Sequence, residues 1–245
     1  MRPTPVLLPG NMCDARLWRG GSEAIPRTFA AAGLPLAHDA DLTQDDDIRA
    51  MAARTLAAVN GPLLPVGFSM GAIVALAMAE QAPKRIAGAV LIGLNATADL
   101  PERAMLRPRQ QAEVRAGGLE RVLVEEMKPN YLARVNRRDD ALLALLRDMG
   151  LALGPEVFAR QSEALRTRLD LTGALPILHA PVMLVAGAED TLCPPEWHER
   201  WAALLPDAAL HVIAGAGHMV PLEAPHRIAD LLEVWLMENL CPTVS

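Results

Sequence analysis

A serine stands between two glycines in the stretch PVGFSMGAIV, residues 65–74. Gly67 precedes Ser69 by two residues, and Gly71 follows it by two. A serine hydroxyl becomes a good nucleophile only when a base takes its proton and donors stabilise the resulting oxyanion. A sharp turn from a strand into a helix would expose the hydroxyl, and such a turn requires small residues on both sides. The pattern predicts a nucleophilic Ser69; the alternative is a tight glycine-rich turn with an incidental serine.

Histidine is the usual base for such a serine, and the chain has six. His218 follows a strand-like run and a Gly-Ala-Gly loop, in front of the last predicted helix. Loops at strand ends are where parallel sheets carry their chemistry, which favours His218. The other five have less suitable predicted settings: His211 in a strand core, His198 and His226 on helix surfaces, His38 in an acidic stretch and His179 in a connector.

The chain resembles the α/β-hydrolases in these segments. The nucleophile turn of that family matches residues 67–71, GFSMG, and its histidine segment matches AGAGHMVPLEAP around His218. The family order of serine, acid and histidine implies an acid between them, and the resemblance selects Asp190 in LVAGAEDTLCPP, with Glu189 as the competing carboxylate. An aspartate against the imidazole would fix its tautomer and stabilise the imidazolium.

The resemblance also implies an oxyanion hole made of two backbone amides. One belongs to Met70, the residue after the serine. The other lies in the loop LLPGNMCDARLW, where Asn11 aligns with the donor and Met12 is the alternative. Family members often have His-Gly where this chain has Pro9-Gly10.

Further side chains are candidates for contact with a substrate. Met12 and Met219 stand beside predicted catalytic positions and could line an adaptable apolar pocket. Trp18 could shape that pocket, and Tyr131 could donate to a substrate oxygen. For all four, ordinary core packing is the alternative.

Apolar runs separated by helical stretches predict the elements that position these residues. Strands are predicted at residues 5–8, 63–66, 86–92, 182–186 and 209–213, with helices at 70–82 and 225–240. Continuous apolar strands between helices indicate an α/β fold, a mostly parallel sheet covered by helices on both faces. Relatives often open with an antiparallel hairpin, which we expect to be absent here because the first strand begins near residue 5.

Residues 99–173 contain no strand-like run, whereas Leu142, Leu145 and Met149 show helical spacing. We predict an inserted helical cap over 99–173, between the two parts of a core domain, 1–98 and 174–245. In the resembling family the cap covers the serine and selects the substrate. Eight basic residues of the segment are interpreted as a solvated face, although one of them could bind a substrate carboxylate; these eight are Arg103, Arg107, Arg109, Arg115, Lys128, Arg134, Arg137 and Arg138.

Composition excludes several classes of function. The net charge is −6, which argues against a nucleic-acid partner because phosphate backbones require a basic face. No HExxH, spaced Cys/His set, GxxxxGK[ST] or GxGxxG motif occurs, so we expect no metal and no cofactor. Three cysteines without a CxxC pair fit a reducing compartment. With no signal-peptide core and no apolar run of ~18 residues, we expect a soluble, cytoplasmic protein without a membrane partner.

The resemblance therefore implies a serine hydrolase that cleaves a small carboxylic ester, thioester or lactone through an acyl-enzyme intermediate. Its partner would be a small-molecule ester or lactone, and the sequence makes no prediction of oligomeric state. Two alternatives stay open. The same three side chains could perform carbon–carbon bond hydrolysis, elimination or perhydrolysis, or the chain could be a small-molecule receptor of hydrolase fold without turnover.

Overall fold

A computed structural model of the chain describes residues 1–20, 22–127 and 131–240. The described strands form one sheet with the order β2-β1-β3-β4-β5-β6, and every pairing between them is parallel. The strands are β1 (Thr4–Leu8), β2 (His38–Asp39), β3 (Leu63–Phe68), β4 (Ala89–Ile92), β5 (Val182–Gly187) and β6 (Ala208–Ile213). Within residues 1–20 no antiparallel hairpin precedes β1.

Helices follow or precede each strand, as the alternation of patterns predicts. They are α1 (Arg16–Arg19), α2 (Ala24–Ala31), α3 (Ile48–Ala58), α4 (Met70–Gln81), α5 (Pro101–Arg115), α6 (Leu119–Arg121), α7 (Asp140–Thr167), α8 (Pro195–Ala202), α9 (Val220–Glu223) and α10 (Pro225–Asn239). Short 3₁₀ turns span Pro83–Arg85 and Thr172–Ala174, and Val122–Met127 continues α6 as a π-helix. No described helix is both long enough and apolar enough to cross a lipid bilayer.

The strands differ from the sequence prediction at two places. β2 is only two residues long and was not predicted, because His38–Asp39 carries no apolar run. The strand predicted over 86–92 begins only at Ala89, and Ile86 forms no more than an isolated bridge to Leu63. A run of apolar residues indicates burial and does not show where strand pairing begins. Ile86 is buried although it precedes the strand.

Alternation along the strands divides the apolar core into two layers. In β5, Val182 and Leu184 pack into the layer that contains α3 and α4, while Met183 and Val185 pack into the layer that contains α2 and α10. Successive strand residues point to opposite faces, so an unbroken apolar strand must be covered on both sides. The predicted α/β architecture with helices on both faces is therefore present.

The order of the strands creates a crevice at the carboxyl edge of the sheet. From β1 the chain first adds β2 on one side and then β3 on the other, so the loops after β1 and β3 diverge. In open α/β sheets ligands bind at such a switch point. Ser69 directly follows β3, and the loop from Pro9 to Asp14 follows β1.

Helices α5, α6 and α7 lie between β4 and β5 in the chain and share a small apolar cluster of their own. In α7, Gly154 adopts φ 80° and ψ 177°, which interrupts the helix just before Pro155. Asp99 and Arg168 join the two ends of this segment by an ion pair of 2.8 Å. That residues 99–173 form a cap domain separate from residues 1–98 and 174–245 stays a prediction.

Candidate active site

Ser69 occupies the turn between β3 and α4 in a strained backbone conformation. Its φ is 52° and its ψ is −114°, values that residues other than glycine rarely adopt. The Ser69 N–H donates to the carbonyl of Ile92 at 2.8 Å, which anchors the turn to β4. The Ser69 hydroxyl does not cap α4, although serine is a favoured capping residue. The turn therefore leaves the hydroxyl available for another partner.

The glycines on either side of Ser69 are required by close backbone contacts. A Cβ added to Gly67 would lie 2.4 Å from the carbonyl oxygen of Gly71, and one added to Gly71 would lie 2.0 Å from the carbonyl oxygen of Leu8. Real Cβ atoms do not approach other heavy atoms so closely. Both glycines thus allow α4 to start against the ends of β3 and β1.

Ser69, His218 and Asp190 form a continuous chain of hydrogen bonds, and we refer to them as the candidate triad. The Oδ2 atom of Asp190 lies 2.7 Å from Nδ1 of His218, and Nε2 of His218 lies 2.9 Å from the Ser69 hydroxyl. A carboxylate can only accept, so Nδ1 of His218 carries the hydrogen and donates a hydrogen bond to Asp190. Nε2 is then free to accept the hydrogen bond donated by the Ser69 hydroxyl.

Asp190 is buried and kept ionised by its neighbours. The backbone N–H groups of Leu192 and Cys193 donate to Oδ1 at 2.8 and 2.9 Å. Burial alone would raise the pKa of Asp190, but the positive charge that His218 carries when protonated and its hydrogen bond, with these two N–H groups, hold the pKa below its ordinary value. The competing carboxylate, Glu189, instead accepts from the backbone N–H of Arg134 at 2.9 Å.

The loop that carries His218 is fixed by Glu223 and by aromatic contacts. One carboxylate oxygen of Glu223 accepts from the N–H of Gly217 at 2.8 Å, and the other accepts from the N–H of Ala133 at 2.7 Å. The imidazole ring packs against Phe68 and Tyr131, with ring centroids 5.0 and 5.9 Å away. These contacts hold the ring between β3 and the helical segment.

Two backbone amides near Ser69 are free to donate. Within the described parts of the chain, the N–H groups of Asn11 and Met70 make no hydrogen bond. The N–H of Met12, the alternative to Asn11, donates to Oε1 of Gln161 at 2.8 Å and is therefore occupied. This arrangement favours Asn11 over Met12 as the second oxyanion donor, and the role of both Asn11 and Met70 stays a prediction.

A cavity of about 260 Å³ lies above Ser69. Asn11, Met70 and Tyr131 line it together with Ser69 and His218. The other three predicted substrate contacts do not line it. Met12 packs into the cluster between the helices of the segment α5–α7, and both Trp18 and Met219 are buried in the apolar layer beneath the sheet edge. Packing, the alternative for these three residues, accounts for their positions.

The basic residues predicted to form a solvated face differ in their surroundings. Arg103 and Arg107 line the cavity, as does Arg168, which was not among the predicted residues. The remaining described ones are exposed, as a solvated face predicts: Arg109, Arg115, Arg134, Arg137 and Arg138. Lys128 lies outside the described residues.

Comparison with known proteins establishes the family. The sequence model described as the Alpha/beta hydrolase family matches residues 6–231. This chain belongs to the alpha/beta hydrolase family. The α/β-hydrolase fold predicted from the resemblance is confirmed by this match and by the parallel sheet.

Curated relatives of this chain include proteins of which it spans only a part. The polyketide synthase ThaQ of Burkholderia thailandensis is 31% identical over 97% of the chain, which spans 12% of ThaQ. The biotin biosynthesis bifunctional protein BioHC of Cellvibrio japonicus is 25% identical over 95% of the chain, which spans 47% of BioHC. By contrast, the pimeloyl-[acyl-carrier protein] methyl ester esterase of Methylococcus capsulatus is 29% identical, and the match covers 97% of this chain and 96% of that protein.

Solved structures agree with the hydrolase fold. An esterase from Thermogutta terrifontis, solved with malate bound, is 27% identical and superimposes with a TM-score of 0.84 over 98% of this chain and 91% of that one. The enol-lactonase from Burkholderia xenovorans LB400 superimposes with a TM-score of 0.80 over 97% of this chain and 92% of its own. Its sequence identity of 19% supports the fold alone.

Sequence reasoning did not identify a grouping of Asp190, Cys193 and His218. Their ligand atoms all lie within 4.8 Å of one another, a spacing that could suit a metal ion. However, Asp190 and both ring nitrogens of His218 are already hydrogen-bonded within the candidate triad. Burial and the nearby Asp190 also raise the pKa of the Cys193 thiol well above its usual range, which disfavours the thiolate that metals bind. The three side chains therefore make a poor metal site.

Two other histidines differ from prediction. His198 was predicted on a helix surface, but it is fully buried, and its Nε2 atom accepts from the N–H of Leu94 at 2.9 Å. The spacing of His198 and Trp201 by three residues was the signal, because both side chains bind the backbone of Leu94. His211 was predicted in the core but is only half-buried, since β6 is an edge strand.

Proposed function

We propose that this chain is a serine hydrolase that cleaves a small carboxylic ester, thioester or lactone through an acyl-enzyme intermediate. The observation that carries the proposal is the hydrogen-bonded chain from Ser69 through His218 to Asp190, with bonds of 2.9 and 2.7 Å. This geometry supplies a nucleophile, a base in contact with it and an acid that orients the base. All three residues follow the ends of strands, β3, β5 and β6, which supports the proposal.

The first half of the reaction forms the acyl-enzyme. Oγ of Ser69 attacks the substrate carbonyl carbon while its proton passes to Nε2 of His218. The negative charge that develops on the carbonyl oxygen is stabilised by the N–H groups of Asn11 and Met70. His218 then gives its proton to the leaving alcohol or thiol as the bond to the carbonyl carbon breaks. Asp190 stabilises the imidazolium throughout these steps.

The second half hydrolyses the acyl-enzyme, with water in place of Ser69 as the nucleophile. A water molecule gives its proton to Nε2 of His218 and attacks the acyl carbon. The tetrahedral species collapses, the proton returns from His218 to Oγ of Ser69, and the carboxylic acid leaves. No atom outside the substrate, water and the candidate triad is required for the balance of this reaction.

The size of the cavity and the names of the relatives support a small ester. A cavity of about 260 Å³ is slightly smaller than the usual range of ligand pockets, ~300–1,000 Å³, which favours a compact acyl group. A relative that the chain matches over nearly its whole length is a methyl ester esterase of pimeloyl-[acyl-carrier protein]. The superimposable Thermogutta terrifontis enzyme is an esterase with malate bound.

A fluorophosphonate probe and a short-chain 4-nitrophenyl ester test the proposal. We expect the wild-type protein to be labelled and to hydrolyse the ester. Ser69→Ala should lose labelling, and its turnover should fall by ~10³-fold or more with the fold retained. Ser22→Ala is the matched control, because the one hydrogen bond of the Ser22 hydroxyl to a described residue is accepted from the N–H of Ala24, and Ser22 does not line the cavity. Labelling that persists in Ser69→Ala would contradict the assignment.

The same experiment separates the alternatives. Chromatography of the products from lactones, methyl esters and vinylogous diketones distinguishes ester cleavage from carbon–carbon cleavage. Oxidation of halide in the presence of peroxide and a carboxylic acid would indicate perhydrolysis. Binding of small esters without any turnover would favour the receptor alternative.

A further inference from the structure

The cavity above Ser69 is lined by more positive than negative charge. Arg103, Arg107 and Arg168 line it, and Asp99 and Glu126 are the acids among its described lining residues. Glu126 already forms ion pairs with two arginines that do not line the cavity, Arg109 at 2.6 Å and Arg121 at 2.8 Å. Asp99 is thus the acid that is left to balance three guanidinium groups.

Two of the three arginines form ion pairs with Asp99. Arg107 makes a forked contact with Asp99, at 2.6 and 3.3 Å, and Arg168 contacts the same carboxylate at 2.8 Å. Arg168 also donates to the carbonyls of Thr97 and Leu165, and its side chain is only 3% exposed. Burial alone would raise the pKa of Asp99, but the two guanidinium groups outweigh it and hold this pKa below its ordinary value. Asp99 therefore stays ionised, and its carboxylate oxygens are occupied by Arg107 and Arg168.

Among the residues that the structure describes, Arg103 has no acidic partner. Its one hydrogen bond to a described residue is from Nη2 to the carbonyl of Leu192, at 3.2 Å. A guanidinium group has five N–H donors in a rigid fork that matches a carboxylate or a phosphate. Within the described residues Arg103 thus has most of its donors unused, on the wall of the cavity that holds Ser69.

The charge of Arg103 acts on the groups around the candidate triad. Burial raises the pKa of Tyr131 and of Cys193, and the Arg103 charge opposes the increase in both. Tyr131 packs on the ring of His218, and Cys193 donates its backbone N–H to Asp190. An anion held by Arg103 would therefore lie within electrostatic range of the reacting groups.

Asn95 supplies a second unused donor on the same cavity. Its side chain is 4% exposed, and its Nδ2 atom has no hydrogen-bond partner among the described residues. The amide cannot be turned around, because Oδ1 accepts from the backbone N–H of Thr97 at 3.0 Å and from the Thr97 hydroxyl at 2.8 Å. A buried donor without a partner is costly, so Nδ2 of Asn95 needs an acceptor, which an ordered water or a group of a bound ligand can supply.

We propose that the cavity selects substrates that carry an anionic group away from the scissile carbonyl, and that Arg103 binds this group with Asn95 as a further donor. This inference rests on the proposed hydrolase function, whose substrate class it narrows. The anion is a carboxylate or a phosphate, since both match the guanidinium fork. Arg103 thereby determines specificity and takes no part in bond breaking.

Paired substrates test the inference. The 4-nitrophenyl monoesters of succinate, glutarate, adipate and pimelate each carry a terminal carboxylate, and each is compared with the matching terminal amide. We expect wild-type kcat/KM to favour the carboxylate by about ten-fold or more at the best chain length. The 4-nitrophenyl ester of 4-phosphonobutanoate distinguishes a phosphate site, which would prefer it to the glutarate monoester, from a carboxylate site, which would not.

Variants of Arg103 give the decisive comparison. In Arg103→Gln the preference for carboxylate over amide should fall by about ten-fold, and Arg103→Lys should retain an intermediate preference. Asn95→Asp keeps the acceptor for Thr97 but places negative charge where Nδ2 stood, so it should also lose the preference. Arg115→Gln is the matched control, because Arg115 lies on the same helix but is exposed and does not line the cavity. An unchanged preference in Arg103→Gln, or none in the wild type, overturns the inference.

A binding measurement separates this inference from the proposed function. Glutarate and glutaramide are titrated calorimetrically into the wild-type protein and into Arg103→Gln. If no ester is cleaved but glutarate binds about ten-fold more tightly than glutaramide through Arg103, the hydrolase proposal fails and the anion site stands. If neutral esters are cleaved and glutarate binds no better than glutaramide, the anion site fails and the hydrolase proposal stands.

Discussion

Gln161, a buried residue of α7, accepts a hydrogen bond from the backbone N–H of Met12 at 2.8 Å. Its Oε1 atom also accepts from Nδ2 of Asn11 at 3.2 Å, and its Nε2 atom donates to the carbonyl of Leu42 at 3.1 Å. Met12 has a φ of 54°, a conformation that costs free energy in a residue other than glycine. Gln161 thus ties the helical segment to the loop that carries the Asn11 amide.

Replacement of Gln161 should therefore reduce turnover as well as stability. In Gln161→Met the buried N–H of Met12 and the carbonyl of Leu42 lose their partner, which should lower the free energy of unfolding by about 1–3 kcal/mol. Because the Asn11 amide is no longer held in place, we expect kcat for a short-chain ester to fall by about ten-fold, with a smaller change in KM. Steady-state kinetics and urea unfolding measure the two effects.

Gln111→Met is the matched control for Gln161→Met. Gln111 is also a buried glutamine of the helical segment, and it donates to the Ser162 hydroxyl at 3.2 Å, away from the Asn11 loop. We expect it to lose stability while kcat stays close to that of the wild type. Equal losses of kcat in both variants would show that Gln161 acts on stability alone.

The two adjacent acids, Glu189 and Asp190, should differ sharply in their effect on turnover. Asp190→Asn would present an amide N–H to Nδ1 of His218, favour the wrong tautomer and lower kcat by ~10³–10⁴-fold without unfolding the chain. Glu189→Gln should change kcat by no more than about three-fold, because Glu189 contacts the N–H of Arg134 rather than His218. Ester turnover together with thermal unfolding checks both variants. A larger loss in Glu189→Gln than in Asp190→Asn would reverse the assignment.

The parts of the molecule that the sequence predicts are those set by local contacts. The glycine spacing around Ser69 reflects a backbone requirement that involves only five consecutive residues. The buried strands are recognisable as runs of apolar residues. The order of serine, acid and histidine came from the family resemblance and not from spacing. Which of the two adjacent acids faces His218 depends on the path of one loop, and that preference likewise came from the resemblance.

Long-range polar contacts were beyond sequence reasoning. Gln161 is 149 residues from Met12, and an isolated glutamine in a helical stretch does not show that it binds a distant loop. The pairing of the arginines with Asp99 is likewise a long-range contact that the sequence does not show. Arg103 and Arg107 are one helical turn apart on α5, yet Arg107 contacts Asp99 and Arg103 does not. Only the folded positions of Asp99 and Arg168 decide which arginine remains without an acid.

The glycine after Ser69 should tolerate no side chain. In Gly71→Ala the new Cβ would lie 2.0 Å from the carbonyl oxygen of Leu8 and 2.7 Å from that of Pro9, and neither backbone group can move freely. We expect the free energy of unfolding to fall by about 3 kcal/mol or more, with little folded protein recovered. Gly173→Ala is the control, because no atom lies within 4 Å of the added Cβ there. Equal unfolding midpoints for the two variants would contradict this account of the turn.

His198 should make the stability of the fold sensitive to mild acid. Its Nε2 atom accepts from the N–H of Leu94, its Nδ1 atom donates to the carbonyl of Pro194 at 3.2 Å, and burial lowers its pKa below the ordinary value. In the unfolded chain the pKa of a histidine is about 6.5. Below that pH the unfolded state binds a proton that the folded state does not, so the free energy of unfolding decreases as pH falls from about 6.5 towards the lowered pKa.

In His198→Gln this part of the pH dependence should disappear. Urea unfolding at pH 7.5, 6.5 and 5.5 should show a shallower decrease for His198→Gln than for the wild type, by at most ~1.4 kcal/mol per pH unit for one proton. Some decrease remains, because burial also lowers the pKa of His211. His226→Gln, at an exposed position of α10, should follow the wild type. If the free energy of unfolding of His198→Gln depends on pH as steeply as that of the wild type, His198 is protonated in the folded state. Its Nε2 atom then cannot accept a hydrogen bond from the N–H of Leu94.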